Sequence, residues 1–168
     1  MTVPDLNKLK NKNPAFAAFN IREENFVDDK NAVLRRKTGI IYVIVNLING
    51  KVYVGQTIQS FSKRYKNRWW HYTDSDHLKK SVAKYGRKNF SLLITEEGRG
   101  QNILDILETY YILKFQSYKE EFGYNKTTGG QKYRFSEEVK LKMSKNHPFK
   151  LTTEKFVARS KETHGNKY

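Results

Sequence analysis

The sequence predicts an α+β domain: a small antiparallel three-stranded sheet flanked by helices, followed by a short helical C-terminal tail. Three observations predict it. From Gly39 the chain runs Ile-Ile-Tyr-Val-Ile-Val, then Asn-Leu-Ile-Asn-Gly-Lys, then Val-Tyr-Val-Gly, two β-rich runs joined through Asn49-Gly50, a strong hairpin signal. A third strand reads from Asn89 to Thr95, through Phe-Ser-Leu-Leu-Ile-Thr. Helical segments separate and follow these strands, an order that suits a sheet with helices packed against it.

Between the second and third strands, residues Ser60 to Tyr72 are rich in Arg, Lys and aromatics, and Ser75 to Tyr85 ends at Gly86. The first segment reads as a basic helix and the second as a helix closed by a glycine cap. Gln101 to Gln116 places Ile103, Leu104, Leu107, Tyr111 and Leu113 at helical spacing. The Gly123-Tyr124-Asn125 turn and the Gly129-Gly130 pair then end the domain. We therefore divide the chain into a partly helical lead-in over 1–37, a domain over 38–130 and a tail over 131–168.

Length supports one core of ordinary size plus appendages: the chain has 168 residues, of which 38% are hydrophobic. Lys and Arg number 32 against 17 Asp and Glu, a net charge of +15, which attracts polyanions by counterion release. Nucleic acid is the leading partner, although ribosome-associated, heparin-binding and membrane-surface proteins share such a charge. The tail is the most basic part, with 10 basic and 4 acidic side chains over 131–168. The absence of cysteine excludes disulfides, cysteine-rich zinc sites and thiol chemistry. No apolar run approaches the roughly 20 residues of a membrane span, and the N-terminus lacks the apolar stretch of a secretory signal. A soluble intracellular protein with no membrane partner is expected.

Several residues could carry chemistry, and each also has an ordinary structural reading. Tyr42 and Tyr53 are strand tyrosines that could simply pack, or could help deprotonate a water if a cation lowers the phenol pKa. Arg64 sits in a basic helical stretch, where it is either solvated or able to bind a phosphate in its planar fork. Lys63, Arg68 and Trp69 share that stretch and could grip the nucleic-acid backbone. His77, with His71 as a weaker competitor, is either a surface histidine or a group that positions water or protonates a leaving oxygen. Glu108 interrupts an apolar-periodic helix; it either pairs with a neighbouring Lys or Arg or ligates a hard cation.

In the tail, Ser136 is placed to cap a helix with Glu137 and Glu138 in its first turn and Lys140, Lys142 and Lys145 later, matching the helix dipole. Pro148 stops it. Thr152-Thr153-Glu154 starts a further short helix ending near His164-Gly165.

Taken together, Ile41-Tyr42, Val52-Tyr53-Val54-Gly55, the Asn-Leu-Ile-Asn-Gly-Lys link, Arg64, His77 before Lys-Tyr-Gly, Glu108 in Leu-Glu-Thr-Tyr-Tyr-Ile and Gly123-Tyr124-Asn125 resemble the GIY-YIG nuclease family in residue type and order. The likeness covers roughly residues 38–130 and is closest to phage and intron-encoded homing endonucleases. It implies a DNA endonuclease that uses Mg²⁺ or Mn²⁺ and no organic cofactor, leaves 5′-phosphate and 3′-hydroxyl ends and acts on double-stranded DNA; a monomer is expected, although the sequence does not fix the oligomeric state. By the same likeness Tyr42 and Tyr53 frame the active site, Arg64 contacts the phosphate, Glu108 holds the metal and Asn125 supports the site through hydrogen bonds.

Two departures stand out. Ile40 occupies the glycine position of the first motif, with Gly39 one residue early, and Arg68 stands where some relatives carry a histidine, leaving His77 as the histidine of the site. The tail is similar to short modular DNA-binding motifs, with Lys132, Arg134, Lys140, Lys142 and Lys145 as its expected DNA contacts. Its last residues read as the opening of another module, cut short. The alternatives are a restriction or repair nuclease on the same domain, and a catalytically silent DNA-binding protein.

Overall fold

Alternation along the hairpin builds the sheet. In a computed structural model, which describes residues 5–18, 39–58, 75–129 and 136–145, β1 (Gly39–Asn46) is the central strand, flanked by β2 (Val52–Thr57) and β3 (Phe90–Gly98), both antiparallel to it. Every residue of β1 is buried, so its near-continuous apolar run is that of a strand covered on both faces. Ile41, Val43 and Val45 enter one core; Ile40, Tyr42 and Ile44 enter a second on the other face. At the hairpin turn Gly50 has φ 75°, and Lys12 packs where its Cβ would be, so a side chain there would be both strained and obstructed.

β3 runs three residues beyond its expected end at Thr95. A bulge at Thr95 shifts the register between Ile41 and Tyr42, and the Thr95 hydroxyl donates to the Ile41 carbonyl at 3.2 Å. Past it, Glu96, Glu97 and Gly98 pair with Ile41, Ile40 and Gly39 of β1, and the Tyr111 hydroxyl donates to the Glu96 carboxylate at 3.0 Å.

Two helices cover the faces. On the Tyr42 face lies α2 (Asp76–Tyr85), started by Ser75, whose hydroxyl accepts from the Leu78 N–H, and ended by Gly86 at φ 77°; Leu78 and Val82 are its buried residues against the sheet. Opposite lies α3 (Gln101–Phe115), with ten of its fifteen residues buried. A helix apolar nearly all round must be covered on more than its sheet-facing side, and both appendages pack against it. The lead-in helix α1 (Leu6–Lys12) and a 3₁₀ turn over Pro14–Ala18 insert Leu9 and Phe16, 2% and 1% exposed, into the α3 core. Phe16 meets Phe115 edge-on at 5.4 Å. Lys12 donates to the Leu47 carbonyl and Asn13 to that of Gly50, which ties the lead-in to the hairpin turn. The tail helix α4 (Glu137–Lys145) also packs against α3.

The segment expected as a Gly123-Tyr124-Asn125 turn is extended instead, running parallel to β2 along its outer edge. The Val52 N–H donates to Phe122 O at 3.0 Å and the Tyr124 N–H to Val52 O at 2.9 Å. An edge strand with unpaired backbone groups is stabilised by such a cover. No described helix is long and apolar enough to cross a membrane.

Candidate active site

β2 carries the site because both neighbouring layers reach it. On the α2 face, Tyr42 lies opposite Gly55 in the register, and a Cβ on Gly55 would sit 2.5 Å from the Tyr42 hydroxyl. Only hydrogen at this position lets the phenol lie across the strand. Tyr42 is 2% exposed, whereas Tyr53 is half-buried, with its ring 6.4 Å away and tilted by 41°. Gly55→Ala is expected to cost about 1–3 kcal/mol by overpacking and to reduce cleavage by displacing Tyr42. Urea unfolding and a plasmid assay check both effects, and a full-activity variant of unchanged stability would sink this role for Gly55.

Asn125 holds the same strand from its edge. Its side chain accepts from the Val54 N–H at 2.9 Å and donates to the Val54 carbonyl at 2.8 Å, between Tyr53 and Gly55. Its neighbour Tyr124 is locked by buried partners: its hydroxyl meets Asn46 Nδ2 at 2.8 Å and Ser81 Oγ at 2.7 Å, and its carbonyl accepts from Ser75 Oγ at 2.6 Å. His77 is exposed, in the first turn of α2.

Glu108 approaches β2 from the α3 face. Its carboxylate accepts from Gln56 Nε2 at 3.0 Å, and that nitrogen also donates to Asp105 Oδ1 at 2.7 Å. The tyrosines and Glu108 thus meet β2 on opposite faces and are linked through consecutive residues, Tyr42 over Gly55 and Glu108 on Gln56. Burial, reinforced by the nearby Asp105 charge and opposed by the Gln56 hydrogen bond, pushes the Glu108 carboxyl up to about 7. No Lys or Arg among the described residues balances it, so the salt-bridge alternative has no partner there. Half-buried oxygen donors with uncompensated negative charge fit a hard divalent cation, which would favour the ionised form. Among the described residues no group of three or more acidic or histidine side chains is clustered to hold a metal, so such an ion would take Glu108 together with water and substrate oxygens.

The raised value has a measurable sign. Between the ordinary 4.5 of an unfolded glutamate and about 7, the folded state holds a proton the unfolded state has lost, so stability is greatest below 4.5 and falls as pH rises towards 7. The urea midpoint of metal-free protein is expected to drop across that interval, and Glu108→Gln to remove this part of the drop. Identical slopes in the two proteins would contradict the assignment.

Gln56, Gln101 and Asp105 were not singled out by sequence. A signal existed: Gln101, Asp105 and Glu108 are spaced i, i+4, i+7 and form one polar stripe on an otherwise apolar helix. Lys63, Arg64, Arg68, Trp69, His71, Lys132 and Arg134, with the helix expected over Ser60–Tyr72 and the chain after Lys145, lie outside the described residues. In α4, Lys140 pairs with Glu137 and Lys142 with Glu138, at 2.7 and 2.5 Å, and Lys145 is exposed.

Comparison with known proteins finds no match among curated proteins or solved structures. A family model does match: the GIY-YIG catalytic domain, over residues 38–125. These residues span β1 to Asn125 and so include the tyrosine hairpin, Glu108 and the strand-gripping asparagine. They make up more than half of the 168-residue chain, which therefore belongs to the GIY-YIG family and carries a nuclease domain that acts on DNA.

Proposed function

We propose that the protein is a metal-dependent endonuclease of double-stranded DNA, of the homing type, that cuts phosphodiester bonds to 5′-phosphate and 3′-hydroxyl ends. The observation that carries this reading is the Glu108 carboxylate held at 3.0 Å from Gln56 on the second strand of the tyrosine hairpin, with its negative charge uncompensated by any described cation. Glu108 would hold Mg²⁺ or Mn²⁺, and the bound ion supplies Lewis-acid stabilisation of charge on the departing oxygen. Water attacks phosphorus and the bond to the 3′ oxygen breaks. Tyr53, the more exposed phenol of the pair, takes the proton of the attacking water as its phenolate, the form that a nearby cation favours, and Tyr42 orients the water. Arg64 binds the scissile phosphate, His77 delivers a proton to the leaving oxygen, and Asn125 keeps the Tyr53–Gly55 strand in place.

Lys63, Arg68 and Trp69, and the tail residues Lys132, Arg134, Lys140, Lys142 and Lys145, hold the duplex through its phosphates. The basic tail supports the homing type over a restriction or repair role. We take the working unit to be a monomer in the cytoplasm of a bacterial or phage-infected host.

Supercoiled plasmid incubated with Mg²⁺ and with EDTA tests the proposal. Cutting that stops in EDTA, with ends that a ligase rejoins directly, is the expected result. DNA binding without any cutting in Mg²⁺ or Mn²⁺ would instead identify a silent DNA-binding protein.

A further inference from the structure

The stripe on α3 ends in an ordered amide. Gln56 Nε2 donates to Asp105 Oδ1 at 2.7 Å and to Glu108 Oε2 at 3.0 Å, while its Oε1 accepts from Gln101 Nε2 at 2.9 Å. Gln101 Nε2 also donates to Asp105 Oδ1 at 2.7 Å. A primary amide has two N–H donors, and ionised carboxylates only accept. Both donors of Gln56 are therefore taken by carboxyl groups, and a flipped amide would set its oxygen against Asp105 Oδ1 and its nitrogen against Gln101 Nε2. The side chain has one orientation. Asp105, 5% exposed, anchors that orientation from the helix, and exposed Gln101 closes the ring from outside.

Glutamate is a long side chain that loses substantial rotamer freedom when fixed, so a ligand carboxylate held in advance binds an ion more tightly than one that must be ordered at the time of binding. Among the described residues only Oε2 of Glu108 accepts a hydrogen bond. We propose that Gln56 is a positioning residue of this nuclease: clamped by Asp105 and Gln101, its amide fixes Glu108 by one oxygen and leaves the other directed to a divalent cation. The inference rests on the reading of Glu108 as the cation ligand. It assigns to Gln56, Asp105 and Gln101 a function that the tyrosine, arginine and glutamate roles do not contain.

Calorimetric titration of the metal-free full-length protein with Mn²⁺, alongside cleavage kinetics, tests it on Gln56→Met, Gln101→Ala and Glu108→Ala. Methionine keeps the length of the side chain and removes its hydrogen bonds. Loss of a group that orients a metal ligand commonly weakens metal binding about 10–100-fold, so Gln56→Met is expected to weaken Mn²⁺ by about 10-fold or more. Its kcat should fall while KM for DNA stays put, and Gln101→Ala should move both affinity and kcat in the same direction by less. Should Gln56→Met fail to fold, Gln101→Ala decides, because its side chain is exposed.

Unchanged Mn²⁺ affinity in the glutamine variants, with affinity lost in Glu108→Ala, would overturn the positioning role and leave the Glu108 assignment standing. Unchanged affinity in Glu108→Ala would overturn the ligand assignment and the positioning role with it.

Discussion

Glu108→Ala is expected to lower plasmid cleavage in Mg²⁺ by about 100-fold or more, because Lewis-acid stabilisation is worth several kcal/mol and each ~1.4 kcal/mol is a factor of ten. DNA binding in EDTA should persist, since removing a negative charge from a basic surface cannot weaken its attraction for phosphate. Folding should persist as well. The lost side chain is a half-buried carboxylate pushed up to about 7 by burial, a group that opposes the folded state at neutral pH. The signature is thus lost cutting with retained binding and an unfolding midpoint at or above that of the parent protein. Undiminished cleavage by the alanine variant would remove Glu108 from the mechanism.

Phe16→Ala is expected to cost about 3–5 kcal/mol, the usual penalty for emptying a buried phenylalanine site. Such a loss is a large part of the roughly 5–15 kcal/mol that holds a domain together. The ring is 1% exposed and packs edge-on to Phe115 at 5.4 Å, in the core that α3 shares with the sheet. Residues 5–18 precede the 38–125 span of the family match, yet they supply part of the cover that α3 needs. Urea unfolding monitored by circular dichroism reads the effect, and a midpoint equal to that of the parent protein would mean that the lead-in adds nothing to the core. Because α3 also carries Glu108 and Asp105, loosening the packing at its C-terminal end is expected to slow cleavage at temperatures where the variant is still mostly folded.

The elements that could be read from sequence are those whose causes are local. Asn49-Gly50 between two β-rich runs announced the hairpin, Ser75 and Gly86 bracketed α2, and a glutamate inside an apolar helical repeat drew attention to position 108. Elements set by distant partners were read incompletely. Gly123–Asn125 carries turn residues, but its backbone is extended because β2, some seventy residues earlier, offers unpaired groups at its edge. β3 continues to Gly98 because the start of β1, some sixty residues earlier, offers it backbone partners past the bulge. The early glycine of the first motif has a similar cause: a Cβ on Gly39 would lie 2.3 Å from Leu104 Cδ1, so the helix packing, rather than the motif, requires glycine there.

By itself the sequence determined the hairpin, the limits of α2 and the inventory of chemical groups, because periodicity, caps and turn residues act within a few positions of one another. Only the tertiary structure decided that Tyr42 and Tyr53 share one face of β2 while Glu108 reaches the other. It also decided that Gln56 stands between Asp105 and Glu108, across 49 and 52 residues of chain. Hydrogen bonds and close contacts depend on distance in space, and a distance between residues so far apart along the chain exists only once the helix has docked on the sheet.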